Sequence, residues 1–132
     1  MLKRHEQFLD AIQADFLDDG YHWRLTAPLT LEDIWFDTIT APAGFVTDLG
    51  SIPRIFWNLL PPIGPASKAF VIHDWLYATQ TCTREDADDI LLRAMQASNV
   101  HWAAIWLIYW GVRMGGMFAW ISDAKSLYKN PN

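Results

Sequence analysis

The sequence predicts an α+β domain, mostly helical, in which a small antiparallel sheet is followed by a three-helix core. Three observations carry this expectation. Apolar and polar residues alternate between residues 22 and 47, the pattern of half-buried strands. Apolar residues recur at helical spacing after residue 66. Between the two regimes lies a stretch, 48–65, with four prolines and two glycines, which rules out a long regular element there. A chain of 132 residues is expected to form one domain, 1–132, with one modest core.

The elements follow in order. Residues 1–20 read as an N-terminal helix: Phe8, Leu9, Ile12 and Phe16 repeat at helical spacing over 3–18, and Gly20 stops it. Residues 22–47 read as a small sheet. Leu25, Ala27, Leu29 and Leu31 alternate with Arg24, Thr26, Pro28 and Thr30, and Pro28 places this strand at an edge. Glu32-Asp33 is read as a turn and 35–41 as a second strand. Ala41-Pro42-Ala43-Gly44 breaks that strand, which resumes from Phe45 to Thr47. After the loop, three helices are expected within 66–121, at 66–79, 83–98 and 100–121. Thr83 is the N-cap of the second, with Asp86 in the capping-box place, and Ser98-Asn99 separates the second from the third. Residues 122–132 read as a tail.

Composition excludes several function classes. The net charge is −5, so there is no basic face for nucleic acid. Cys82 is the one cysteine, which excludes an internal disulfide and a cysteine metal cage. Lys3, Arg4, His5, Glu6 and Asp10 interrupt any apolar stretch of signal-peptide type, so synthesis and folding in cytoplasm are expected.

The chemistry-bearing stretch is Ile72-His73-Asp74-Trp75-Leu76-Tyr77. On a helix, His73 and Tyr77 stand one above the other, beside apolar Ala69, Phe70, Val71 and Ile72. A histidine in such a setting is a natural general base. The next helix holds Glu85, Asp86, Asp88 and Asp89. Glu85, Asp86 and Asp89 fall opposite the apolar stripe, and Asp89 is spaced for a solvated ion pair with Arg93. Asp88 instead lies at the margin of the buried side, where a carboxylate needs a partner. A His73–Asp88 dyad follows, with Asp88 fixing the tautomer of a base that activates water. The alternative is a buried hydrogen bond without substrate. Asp74 points a quarter turn away, where it would ligate a divalent cation such as calcium, bond Arg54, or cap the loop. Asp48 and Ser51 are the other side-chain candidates for that site, and Arg54 is placed to neutralise Asp48 and Asp74 instead. Asp48, Ser51 and Arg54 are expected to fold back onto the start of the His73 helix.

The run from Ala41 to Arg54, then Pro61-Pro62-Ile63-Gly64, His73-Asp74-Trp75-Leu76-Tyr77 and Arg84-Glu85-Asp86-Ala87-Asp88, resembles the bacteriophage domain-of-unknown-function family 1353 over roughly residues 23–116. The resemblance implies a phage or prophage origin and supplies no function. The His-Asp-x-x-Tyr block is also similar to that of phospholipase A2-type enzymes. That likeness implies His73 as base, Asp74 as calcium ligand and Asp88, from a later helix, as the group orienting the base. The chain departs from those enzymes in having Asp48-Leu49-Gly50-Ser51 in place of a tyrosine-glycine-x-glycine loop, and in lacking their disulfides.

From Trp102 to Ile121 there are 20 residues with one charge, Arg113, close to the ~20 that span a bilayer. Arg113 lies mid-span, and Trp102, Trp106 and Trp110 are strung along the helix rather than gathered at its ends. The expectation is therefore no transmembrane span: a central helix in the domain, or an oligomer or interfacial contact through the tryptophan surface. Two functions are expected. One is a small phage hydrolase acting on cell envelope or lipid, with His73, Asp88 and Tyr77 as catalytic group, Ser51 and Arg54 in binding, and Asp48 with Asp74 holding a cation or the substrate. The other is a non-catalytic virion or tail component, contacting other virion proteins, in which these residues only pin the fold.

Overall fold

The structure, a computed structural model, describes residues 5–49 and 63–129, with side chains of the last helix through Asp123. Among the described residues nine elements follow one another: β1 (Gln7–Phe8), β2 (Ala14–Phe16), β3 (Trp23–Leu25), β4 (Leu29–Asp33), β5 (Asp37–Ala41), β6 (Val46–Thr47), α1 (Ser67–Thr79), α2 (Arg84–Ala97) and α3 (Trp102–Lys129). The strands form two antiparallel three-stranded sheets, in the orders β1-β4-β5 and β2-β3-β6. The fold is α+β, with three helices after the strands.

The period-two pattern is realised in the β4–β5 hairpin. Leu29 pairs with Ala41 and Leu31 with Ile39, all buried, while Thr30 and Thr40 meet on the outer face at 3.1 Å. The inner face packs on α1 and α2, where Phe70, Val71, Ile72, Ile90, Leu91 and Met95 complete the core. Thr83 caps α2 by accepting from the Asp86 N–H at 3.1 Å. Gln80 ends α1 in a left-handed conformation, and its side-chain amide donates to the Trp120 carbonyl at 2.7 Å, tying α1 to α3.

Several expectations are corrected. Residues 1–20 do not form a helix: among the described residues, 7–8 and 14–16 are strands. Gln7 pairs with Glu32 and Phe8 with Leu31, the Gln7 amide donates to Glu32, and the Asp10 carboxylate accepts from the Thr30 N–H at 2.9 Å. Partners some twenty residues away satisfy this backbone, and long-range pairing outweighs local apolar spacing. Strand 22–31 is two strands in different sheets, with Pro28 in the break, and β4 is central rather than at an edge. Glu32 and Asp33 belong to β4. The turn lies beyond them, where Asp33 Oδ1 accepts from the Trp35 and Phe36 N–H groups. The expected tail from residue 122 begins as helix, since α3 runs to Lys129.

Asp89 and Arg93 do not pair with each other. Arg93 donates to both oxygens of fully buried Asp33, at 3.0 and 3.1 Å, and Asp89 accepts from the Tyr109 hydroxyl. Finally, α3 is not the central helix. Ala104 and Ile105 are buried, but only 11% of its apolar window Trp102–Asp123 is. The helix packs by one edge: Ile108, Val112 and Trp120 lie against the core with Ala104 and Ile105, Gly116 meets Tyr77, and Arg113 reaches Asp88. Leu107, Trp110, Met114, Met117 and Ile121 are left exposed on the other side.

Candidate active site

Three helices converge on one carboxylate. Asp88 of α2 is fully buried and takes four side-chain donors. His73 Nε2 lies 2.8 Å from Oδ1, and the Tyr77 hydroxyl donates to the same oxygen at 2.7 Å. Arg113 Nη1 donates to Oδ2 at 2.8 Å, with Arg84 Nη1 at 3.5 Å. Burial pushes the Asp88 carboxyl up, but bonds from His73, Tyr77 and Arg113 outweigh it and hold it below the ordinary carboxylate range. The Tyr77 hydroxyl is pushed well above its ordinary value, first by burial and then by bonding to Asp88, so it stays protonated and donates. An ionised Asp88 accepts a hydrogen bond from Nε2–H, which in the neutral imidazole leaves Nδ1 of His73 with its lone pair.

The local sequence explains this convergence. His73 and Tyr77 are one helical turn apart, with ring centroids 4.3 Å apart. Gly116 lets α3 come close: a Cβ there would lie 2.5 Å from the Tyr77 hydroxyl. Arg84 also donates to the carbonyls of Val112 and Arg113, bracing α3 against the network.

Beside this network lies a cavity of about 300 Å³, lined by His73, Tyr77, Asp48, Asp74 and Asp123, with Gly111, Gly115, Gly116 and Ala119 as its wall on α3. A second cavity, of about 280 Å³, shares Asp48, Asp74 and Asp123 and is lined beyond them by His22, Phe45 and Thr47. The acids thus stand between two openings. Thr47 Oγ1 donates to Asp74 Oδ2 at 2.5 Å, and the Tyr21 hydroxyl donates to Asp48 at 3.3 Å. Burial, then the Asp48 charge, pushes Asp74 up to about 7, with Asp123 adding to the effect. The bond between Asp74 and Asp48 needs a proton on one of them.

The catalytic candidates His73, Asp88 and Tyr77 are therefore brought together, as are Asp48 and Asp74. Ser51 and Arg54 lie outside the described residues, and so does their expected fold-back. Among the described residues no group of three or more His, Cys, Asp or Glu is arranged to hold a metal ion. Two arginines and Asp123 were not read from the sequence as site residues. Arg113 had a signal: a lone cation in an apolar span needs a buried anion. Asp123 had none, because its approach depends on how α3 docks.

Asp74 gives a pH prediction. Its folded pKa lies above the unfolded value, so the folded state binds the proton more tightly. Its contribution is present below about pH 4 and is lost as pH rises through about 7. Asp74→Asn, which keeps the neutral form, should be level with the parent near pH 3.5. It should be more stable at pH 8 by on the order of 1–3 kcal/mol, read from urea melts at the two pH values. An equal effect at both would show that proton binding is not the cause.

A buried histidine–carboxylate contact, braced by arginines, stands beside an acid-lined cavity in a small α+β domain. The chain belongs to the family described as protein of unknown function (DUF1353), whose model matches residues 23–112. The match takes in His73, Asp74, Tyr77 and Asp88 and ends one residue before Arg113. No curated protein and no solved structure matches the chain.

Proposed function

We propose that this chain is a small hydrolase of phage or prophage origin, acting on an ester or amide of the cell envelope or of lipid. The observation that carries the reading is that His73 uses Nε2 on Asp88 while also lining a cavity with room for substrate. Nδ1 takes a proton from water as the water oxygen adds to the substrate carbonyl. Asp88 stabilises the imidazolium that forms. Collapse of the adduct breaks the bond to the leaving group, and the proton on Nδ1 passes to that group. Tyr77 and Arg113 hold Asp88 ionised and in place. Asp74 and Asp48 bind the substrate's polar end or a divalent cation such as calcium. Two carboxylates supply too few oxygens for calcium alone, so no step is routed through it. The likeness of the His73 block to phospholipase A2-type enzymes supports a lipid ester as substrate. Synthesis in the host cytoplasm and carriage in the virion fit the same reading.

The second reading, a non-catalytic virion or tail component, is favoured by the fact that Asp88 links all three helices, as a fold lock would. The test is His73→Ala. Tyr77 and Arg113 still satisfy Asp88 in that variant, so the loss of one hydrogen bond should cost only about 1–2 kcal/mol. Hydrolysis of phospholipid or peptidoglycan by the parent should vanish. Assays with and without chelator separate a cation's role from the base's. A parent that cleaves neither substrate in calcium or in chelator would sink the hydrolase and leave the structural component.

A further inference from the structure

We infer that the outer face of α3 is the seam of a homodimer, in which two copies pair α3 against α3 in antiparallel orientation about a two-fold axis near Val112. The inference does not depend on the hydrolase reading. Leu107, Trp110, Met114, Met117 and Ile121 follow one another at spacings of three and four, and all are exposed, Met114 at 82%. This is the periodicity of a helix-pairing seam. Trp106 and Phe118 flank it, Phe118 at 80% exposure.

The area suffices. With ~200 Å² for a large side chain, these exposed fractions offer on the order of 800 Å². That is larger than the ~300–600 Å² patch of a typical monomer and matches the ~800 Å² per partner of a stable complex. Charge favours a copy of the chain over a bilayer. Arg113 is the only Lys or Arg from Trp102 to Ile121, and it is turned inward to Asp88, so the face offers nothing to lipid phosphate. Trp110 also lies mid-face, not at an end where interfacial tryptophans gather. The opposite edge of α3 is held by α1 and α2, so the helix cannot cross a bilayer without leaving the fold.

The two halves of the face complement each other. Antiparallel pairing about residue 112 sets Trp110 against the partner's Met114, Trp106 against the partner's Phe118, and Leu107 against the partner's Met117. Sulfur–aromatic contacts then replace water at the centre. Parallel pairing would set each tryptophan against its own copy. A two-fold contact of this kind is closed and leaves no second sticky face.

The experiment is sedimentation velocity across the micromolar range, with the parent and Met114→Glu compared. The parent should sediment as a dimer. The variant places two carboxylates at the seam and should dissociate at least about 100-fold more readily. Its helical circular dichroism should be unchanged, since Met114 touches little within its own chain, and its urea midpoint should no longer rise with protein concentration as the parent's does. Trp110→Cys with Met114→Cys, in a Cys82→Ser background, should give a covalent dimer on mild oxidation. A monomeric parent, or a dimer indifferent to Met114→Glu and not captured by the cysteines, overturns the inference. Binding of a monomeric parent to phosphatidylcholine vesicles, lost in Met114→Glu, also overturns it and assigns the face to a bilayer.

Discussion

Asp88→Ala is expected to cost ~3–5 kcal/mol, a large part of the stability of a domain this size. The reason is less the bonds removed than the groups stranded. Arg113 and Arg84 keep their charge at any accessible pH and lose a buried counter-charge, while His73 and Tyr77 lose their acceptor. Asp88→Asn, of nearly the same shape, should recover little, because an amide cannot accept from all four donors and adds a donor of its own. The pH dependence has a definite sign. The folded carboxyl titrates below the unfolded one, so its contribution is full above about pH 4 and is lost as pH falls through the lower folded value. The gap between parent and Asp88→Ala in urea melts should therefore narrow in acid. A gap that holds constant down to pH 2 would show that packing, not charge, ties the three helices together.

Arg93→Met should cost a similar ~3–5 kcal/mol, far from the cavity and with no effect on any activity. Arg93 holds both oxygens of Asp33, which is buried to 0% exposure, and lies 3.7 Å from Glu6. Glu6 is pushed up to about 7, first by burial and then by its bond to Asp33. Asp33 is held below its ordinary value, because Arg93, Glu6 and two backbone amides outweigh its burial. Without the guanidinium, two neighbouring carboxyls face each other. Both are then pushed up further, so the folded state resists the charge that rising pH places on them. The deficit of Arg93→Met should thus be larger at pH 8 than at pH 5. A deficit that shrinks with rising pH would mean that Glu6 and Asp33 do not interact.

How much of this was legible follows from what kind of force made each feature. The three helices were, because their capping residue Thr83 and apolar spacing are local. The His73–Asp88 contact was, because a carboxylate among Leu91, Leu92 and Met95 signals its own need for a partner. The first twenty residues were not: Phe8, Leu9, Ile12 and Phe16 have helical spacing, yet Leu9 and Phe16 are exposed, and the sheet partners Leu31 and Trp23 decide the conformation. Arg93 was misassigned for the same reason. Asp89 is four residues away along the helix, but Asp33 is buried and bonds it bidentately, and a desolvated acceptor outbids a solvated one. The sidedness of α3 was hidden because apolar residues surround the helix almost evenly. Gly116, against the Tyr77 hydroxyl, and the inward Arg113 mark which edge docks.

That edge-only docking has a kinetic side. α1 and α2 supply His73 and Asp88 but not the closest guanidinium or the cavity's far wall, which arrive together on α3. One local opening of the described structure is the lifting of that helix, which sacrifices little buried apolar surface but breaks the Arg113–Asp88 pair. Each such excursion would expose Asp88 to water on its Oδ2 side and remove the cavity at the same moment, while the hairpin and the α1–α2 pair stay formed. Amide exchange in the second half of α3 and competence of the site would then share one equilibrium constant. Whatever rests on the outside of α3 would set the fraction of time the site exists.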